Sequence, residues 1–246
     1  METEQAQKTH SKQNNHSNQH NQRMFNRSDS ATAALRTSRQ DLLDQLRTRG
    51  ISDEAVLKAI AKIPREEFVP TAFRHRAWED GALPISCNQT ISQPFTVAFQ
   101  TQLLEATPGM NALEIGTGSG YQAAVLWALG LRVFTIERHA DLLSQARQRL
   151  EAIGCNVAMR VADGTVGWSA FAPFDRIIVT AGAPATPPAL LKQLSPNGRL
   201  VIPIGDKTTQ RMKVFIRQQD SEQFDELDYG DFKFVPLIGR EGWERE

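Results

Sequence analysis

The sequence has few cysteines, no excess of either charge and no long hydrophobic run. Only Cys87 and Cys155 occur among 246 residues, without CxxC spacing, so we expect two ordinary buried thiols rather than a disulfide framework. Basic and acidic residues number 28 each, so no overall field attracts nucleic acid or an anionic membrane. No apolar run approaches the roughly 20 residues that span a bilayer, and no signal-peptide stretch opens the chain. These absences favour a cytoplasmic protein with no nucleic-acid or membrane partner.

Residues 1–30 are rich in Gln, Asn, His, Ser and Lys and poor in large apolar side chains. Such a segment cannot bury enough surface to offset the entropy that it loses on ordering, so it is predicted to be a disordered tail. His10, His16 and His20 lie in this segment, which makes a metal-binding tail conceivable, although a solvated low-complexity extension is the simpler interpretation. We predict no metal site, and residues 31–246 are predicted to form a single domain.

Two helices and an irregular segment are predicted ahead of the main part of that domain. The first helix carries four leucines at helical spacing and stops at Gly50, while the second begins at the cap Ser52 and ends before Pro64. Prolines and glycines between Phe68 and Pro94 predict an irregular connection, which in a compact domain is usually functional or mobile. An amphipathic helix is predicted over 95–106. The four leucines are Leu35, Leu42, Leu43 and Leu46.

Beyond this point strands and helices alternate, which predicts an α/β fold with a Rossmann-like, doubly wound and mostly parallel sheet. Helices are centred near Val125, Ala146 and Leu191. Two late strands, Met212–Arg217 and Phe232–Leu237, have no clear helix between them and predict an antiparallel ending. The parallel strands are predicted at Asn111–Ile115, Arg132–Glu137, Val157–Ala162, Arg176–Thr180 and Arg199–Pro203.

A glycine-rich loop follows the first of these strands. Glycine allows backbone to approach a ligand where a Cβ atom would clash. The dinucleotide fingerprint GxGxxG would require glycine where Tyr121 stands, whereas GxGxG after an acidic residue fits a nucleoside bound without a pyrophosphate. The pattern is typical of proteins that use S-adenosyl-L-methionine and release S-adenosyl-L-homocysteine. The candidate cofactor residues of this segment are Glu114, Gly116, Thr117, Gly118, Ser119 and Gly120.

Two further strand ends carry carboxylates that suit a nucleoside. Glu137 ends the second strand about 20 residues past the loop, where an acid can accept hydrogen bonds from both ribose hydroxyls. Asp163 and Gly164 follow the third strand, and the carboxylate could accept a bond from an adenine amino group. Asp163 is equally well explained as a helix cap or turn residue. The ends of parallel strands meet at one edge of an open sheet, where such folds bind ligands.

Five segments together resemble the protein-L-isoaspartate (D-aspartate) O-methyltransferase family, over a span from about Arg39 to Leu237. The most specific is Thr-Ile-Ser-x-Pro at 90–94, because GxGxG is shared by all class I methyltransferases. Ala162 stands where the family commonly has glycine before Asp163, which is a departure at the adenine end. The five segments are Pro64-Arg65-Glu66-Glu67-Phe68-Val69, Gln89-Thr90-Ile91-Ser92-Gln93-Pro94, Leu113 to Tyr121, Asp163 to Trp168, and Phe234-Val235-Pro236-Leu237.

The resemblance implies that Ser92 is the active-site residue and that Thr90, Ile91, Gln93 and Val235 help to form the acceptor pocket. It also implies the substrate, which is the free carboxyl of L-isoaspartyl and D-aspartyl residues in damaged proteins and peptides. Residues 31–94 would then hold the N-terminal helices and the acceptor segment, residues 95–205 the cofactor-binding core, and residues 206–246 the C-terminal strands. We expect the protein to be a monomer.

The chemistry of the residues is compatible with that implication. A carboxylate is already ionised at neutral pH, so its methylation needs no strong base, and a serine hydroxyl can orient one of its oxygens. Without the resemblance, a local turn or capping contact before the helix at Phe95 would be the favoured role of Ser92.

Other functions remain open from the residues alone. The same fold could methylate a small molecule or RNA, or the chain could bind the cofactor or damaged protein without turnover. A serine hydrolase is disfavoured because the GxSxG elbow is missing.

Overall fold

The structure is a computed structural model that describes residues 38–244. Its first part, residues 38–91, forms two helices, two 3₁₀ turns and a short hairpin. The predicted tail and Leu35 lie outside these residues. In chain order the elements are α1 (38–48), α2 (Glu54–Lys62), 3₁₀ turns at Arg65–Phe68 and Thr71–Arg76, and strands β1 (Leu83–Pro84) and β2 (Thr90–Ile91), which pair antiparallel.

Helices α1 and α2 follow the prediction closely, with one change at a cap. Leu42, Leu43 and Leu46 of α1 are buried as expected. Helix α2 is capped by Asp53 instead of Ser52, because the Asp53 carboxylate accepts bonds from the N–H groups of its first turn at 2.8 and 3.2 Å. The Ser52 N–H donates to the side chain of another helix instead.

The segment predicted to be irregular, 68–94, is more ordered than its prolines and glycines indicate. Its hairpin closes because Cys87 and Asn88 both adopt left-handed φ values, 58° and 55°, which type I′ turns require at their two central positions. This places Cys87 on the surface, so the prediction that both cysteines are buried is wrong for Cys87 and right for Cys155.

A seven-stranded sheet of order β5-β4-β3-β6-β7-β8-β9 forms the centre of the molecule. The first five of these strands are parallel, and β8 and β9 are antiparallel to their neighbours, which confirms the predicted mostly parallel α/β fold. The strands are β3 (Asn111–Ile115), β4 (Arg132–Glu137), β5 (Ala158–Val161), β6 (Phe174–Val179), β7 (Leu194–Gly205), β8 (Gln210–Arg217) and β9 (Phe224–Phe232). The helices around them are α3 (Pro94–Leu103), α4 (Tyr121–Ala128), α5 (Ala140–Ala152) and α6 (Pro188–Lys192).

The last strand differs from the prediction of 232–237. It covers Phe224–Phe232, an exposed and acidic edge strand without the alternating apolar pattern that marks a half-buried strand. The apolar residues after it leave β8 and pack beside the segment that follows β6, where the Gly182 N–H donates to the Val235 carbonyl at 2.8 Å. Their apolar character reflects this packing and not strand formation.

The strand order reverses between β3 and β6, since β4 lies on one side of β3 and β6 on the other. This topological switch point opens a crevice at the carboxyl ends of the strands. No helix within residues 38–244 is long and apolar enough to cross a membrane.

Candidate active site

The glycine loop lies at the switch point, where Gly116 and Gly118 line a cleft. Gly116 has a left-handed φ of 99°, and a Cβ atom there would lie 2.4 Å from Thr180 Oγ1. Any other residue at this position would therefore clash. The loop backbone is also held in place, because the Gly116 N–H donates to the Ile136 carbonyl at 2.8 Å.

Glu137 lines this cleft beside the loop and is buried. Its Oε2 accepts a bond from the Gly118 N–H at 2.9 Å and its Oε1 accepts one from the His139 N–H at 3.0 Å. A carboxylate has about four acceptor sites, so two remain for a ligand. The structure thus brings together the loop and the acid that the sequence singled out.

The opposite wall of the cleft is apolar and close to the strands. Gly164 belongs to it, and a Cβ atom there would lie 2.4 Å from the Ile115 side chain. A cleft with apolar side chains, a carboxylate and closely approaching glycine backbone has the chemistry of a nucleoside site. The residues present therefore fit S-adenosyl-L-methionine. The wall is completed by Ile115, Ile136, Leu237 and Ile238.

Asp163 is placed in a neighbouring outer cleft, where it binds backbone. Its Oδ1 accepts bonds from the Thr165 N–H and hydroxyl at 2.9 and 2.7 Å, and its Oδ2 accepts one from the Arg240 N–H at 2.7 Å. Burial opposes ionisation, but these hydrogen bonds outweigh it and lower the pKa of Asp163. The capping role that the sequence left open is present, and Asp163 also ties the C-terminal segment to the cleft.

Glu114 lies behind the glycine loop and does not line the cleft. It is fully buried, and its Oε2 accepts a bond of 2.5 Å from the Thr135 hydroxyl, which in turn lies 2.6 Å from the Thr117 hydroxyl. Burial raises the pKa of Glu114 to about 8, with a smaller contribution from the charge of Glu137. A neutral Glu114 at pH 7 thus supports the loop from inside the protein.

The acceptor segment predicted at 90–93 packs against the glycine loop. Thr90, Ile91 and Ser92 share a small cavity with Gly116 to Ser119. Thr90, Ser92 and Gln93 also line a second pocket, together with Val235. This segment therefore lines both the cavity beside the glycine loop and the second pocket.

Two residues of this region were missed from the sequence. Thr180 lines all three cavities and donates from its hydroxyl to the Gly116 carbonyl at 2.8 Å. The sequence could have indicated Thr180, because this residue directly follows β6 at the edge of the sheet where the other parallel strands end. Lys233 lines the second pocket as its only charged residue, and nothing in the sequence around it marks that position. Within 38–244 no cluster of His, Cys, Asp and Glu could hold a metal ion.

Comparison with known sequences identifies the family. The model of the protein-L-isoaspartate(D-aspartate) O-methyltransferase family matches residues 37–242. A protein-L-isoaspartate O-methyltransferase of Cytophaga hutchinsonii is 49% identical over 205 residues, which cover 83% of this chain and 92% of the relative. One of Salinibacter ruber is 51% identical over 213 residues, which cover 82% and 92%.

Solved structures agree with the sequences. A protein-L-isoaspartate O-methyltransferase matches 83% of this chain and 67% of its own chain with a TM-score of 0.73 and 29% identity. A structure from Plasmodium falciparum, described as the same enzyme in complex with S-adenosyl-L-homocysteine, matches 80% and 97% with a TM-score of 0.71 and 25% identity. Since sequence, fold and site agree, this chain belongs to the protein-L-isoaspartate(D-aspartate) O-methyltransferase family.

Proposed function

We propose that the chain repairs damaged proteins by transferring the methyl group of S-adenosyl-L-methionine to the free carboxyl of L-isoaspartyl residues, and of D-aspartyl residues. The names of its relatives support the reaction and the substrate. The single observation that carries the proposal is the position of Ser92, which lines both a small cavity shared with the glycine loop and a second pocket shared with Val235.

When bound, S-adenosyl-L-methionine supplies a methyl group on a positively charged sulfur. In the proposal Glu137 accepts hydrogen bonds from the ribose hydroxyls with the lone pairs that Gly118 and His139 leave free. The apolar wall and Gly164 would hold the adenine, and the glycine loop would hold the remainder of the cofactor.

The acceptor side needs orientation rather than proton removal. In the proposal the hydroxyls of Ser92 and Thr90, which both line the second pocket, donate to one oxygen of the substrate carboxylate and leave the other oxygen free to attack. Holding two reactants in line and excluding water is worth up to roughly 7 to 11 kcal/mol in favourable cases. Lys233 gives the pocket a positive charge that favours an anionic acceptor.

The experiment compares two peptides that differ in a single linkage. The protein is incubated with labelled S-adenosyl-L-methionine and either an isoaspartyl peptide or its normal aspartyl twin, and the methyl ester is counted. We expect label in the isoaspartyl peptide alone, and a third peptide with D-aspartate tests the second substrate. Equal labelling of the isoaspartyl and aspartyl peptides would contradict the proposal.

A further inference from the structure

A buried guanidinium beneath the acceptor segment has no part in the chemistry described so far. Arg65 begins the 3₁₀ turn at Arg65–Phe68 and has no exposed surface. None of the ion pairs among residues 38–244 involves it. Burying a cation without a carboxylate partner costs free energy. Other groups around Arg65 must therefore compensate for its burial.

The guanidinium contacts three separate parts of the site region. Its Nε donates to the Ala77 carbonyl at 2.8 Å and its Nη2 donates to the Ser92 carbonyl at 2.9 Å. Its central carbon lies 4.7 Å from the ring centroid of Tyr121, the first residue of α4 after the glycine loop. One planar group therefore touches both the acceptor segment and the end of the cofactor loop.

This arrangement has little freedom to adjust. The Tyr121 ring is itself buried and meets the Phe68 ring edge-on, with centroids 5.5 Å apart. A guanidinium presents several N–H donors in a fixed plane and can stack on a ring with the same group. A lysine ammonium is not planar and cannot reproduce this combination. Arg65 thus links the Ser92 carbonyl to the first residue of α4.

We propose that Arg65 is a positioning residue for methyl transfer, which holds the Ser92 main chain at a fixed place relative to the glycine loop. The inference rests on the proposed function and adds a residue to it. Misplacing reacting groups by about 1 Å can lower a rate by about 100-fold. Loss of the bond to Ser92 should therefore lower kcat, whereas the cofactor contacts of Glu137 and Gly164 are made without Arg65.

The chain offers a matched control for this test. Arg176 is also buried, with 8% exposure, and it also donates to two main-chain carbonyls, those of Asp175 and Glu105, at 2.7 and 2.9 Å. It lies near the start of β6, at the edge of the sheet opposite the cleft. Arg65→Lys and Arg176→Lys therefore make comparable changes to buried arginines, but only the first affects the acceptor segment.

Three quantities are measured for wild type and both variants: kcat with an isoaspartyl peptide, the Kd of S-adenosyl-L-homocysteine, and hydrogen exchange of residues 90–94. For Arg65→Lys we expect kcat to fall at least about 10-fold, faster exchange in that segment, and a Kd within about twofold. For Arg176→Lys we expect a lower Tm with kcat and exchange unchanged.

The inference is overturned if Arg65→Lys keeps kcat within about twofold of wild type, or if both variants lose kcat in parallel with their stability. If Arg65→Lys does not fold, Arg65→Gln, which keeps one donor, is measured instead. Failure of both to fold while Arg176→Lys folds also overturns it. If the wild-type protein methylates no isoaspartyl peptide, the proposed function is contradicted. In that case, faster exchange of residues 90–94 in Arg65→Lys but not in Arg176→Lys still supports the contact between Arg65 and Ser92.

Discussion

Two glutamates at the ends of adjacent strands illustrate how differently single residues are used in this site. Glu137 accepts bonds from two backbone N–H groups and lines the cleft, whereas Glu114 is enclosed behind the loop. Both are acidic residues at the carboxyl ends of parallel strands. Their surroundings, and not their residue type, separate a carboxylate that lines the cleft from a carboxylic acid buried behind the loop.

The substitution Glu137→Gln tests the ligand-binding role. Hydrogen bonds to a charged group are worth about 1.5 to 3 kcal/mol, so we expect the Kd of S-adenosyl-L-homocysteine to rise roughly 10- to 100-fold while kcat at saturating cofactor changes little. Isothermal titration calorimetry measures the affinity. Glu151→Gln on the exposed face of α5 is the matched control. An unchanged Kd would remove Glu137 from the cofactor site.

Ser92→Ala tests the acceptor side. We expect kcat for an isoaspartyl peptide to fall about 10-fold or more, because the carboxylate loses an orienting donor, with the cofactor Kd unchanged. Steady-state kinetics and calorimetry separate the two effects. Ser52→Ala, an exposed serine far from the cleft, serves as control. If Ser92→Ala left both constants at wild-type values, its assignment would fail.

Glu114 should make stability depend on pH. Its pKa is raised from 4.5 to about 8 in the folded protein, so the folded state holds a proton that the unfolded chain releases at lower pH. The resulting stabilisation is full below about pH 4.5 and is lost as the pH rises towards 8, at up to about 1.4 kcal/mol per pH unit. Glu114→Gln should flatten this slope.

Urea unfolding at several pH values between 5 and 8 measures the slope for both proteins. The substitution keeps the shape of the side chain and removes its titration, so folding at low pH should be little affected. Identical slopes for wild type and Glu114→Gln would mean that Glu114 keeps an ordinary pKa in the folded protein.

At the scale of secondary-structure elements, the site depends on how short segments begin and end. Helix α2 is capped by Asp53, whose carboxylate accepts bonds from two N–H groups of the first turn, although the sequence offers Ser52 one position earlier. We expect Asp53→Ala to lower the free energy of unfolding by about 1 kcal/mol and Ser52→Ala to change it little, as measured by urea unfolding. An equal loss in the two variants would contradict the observed cap.

Strand β9 shows why a strand can lack the alternating apolar pattern by which strands are predicted. It lies at the edge of the sheet with most of its side chains exposed, and its acidic residues pair with cations of β8, as Asp228 does with Arg211 at 2.6 Å. Charged edge strands discourage pairing with other chains. Because such a strand buries little, it has no alternation to detect.

At the scale of the whole molecule, the structure describes residues 38–244 and the family model matches residues 37–242, which are nearly the same part of the chain. The predicted disordered tail at 1–30 lies outside both. We therefore expect removal of residues 1–30 to leave kcat/KM within about twofold and Tm unchanged, as measured by kinetics and calorimetry. A large loss of activity would assign a function to the tail.

Sedimentation of the full chain and of the chain without residues 1–30 tests the expectation that the protein is a monomer.

The sequence alone was sufficient for the fold class, for most strands and for the family. Strands β3 and β4 have the predicted bounds because each is a short run rich in apolar residues with a glycine before or after it, which is a local signal. The residues Thr90 to Gln93 were found through resemblance, since neighbouring residues do not show that this segment packs against the glycine loop.

Tertiary structure alone decided which polar groups face the cleft and which serve the fold. It turned Glu114 inward, engaged both oxygens of Asp163 with backbone, exposed Cys87, and placed Arg65 between Ser92 and Tyr121. These are contacts between residues far apart in the chain. Composition and spacing report which groups are available, but burial and hydrogen bonding, which depend on every packed neighbour, determine what each group does.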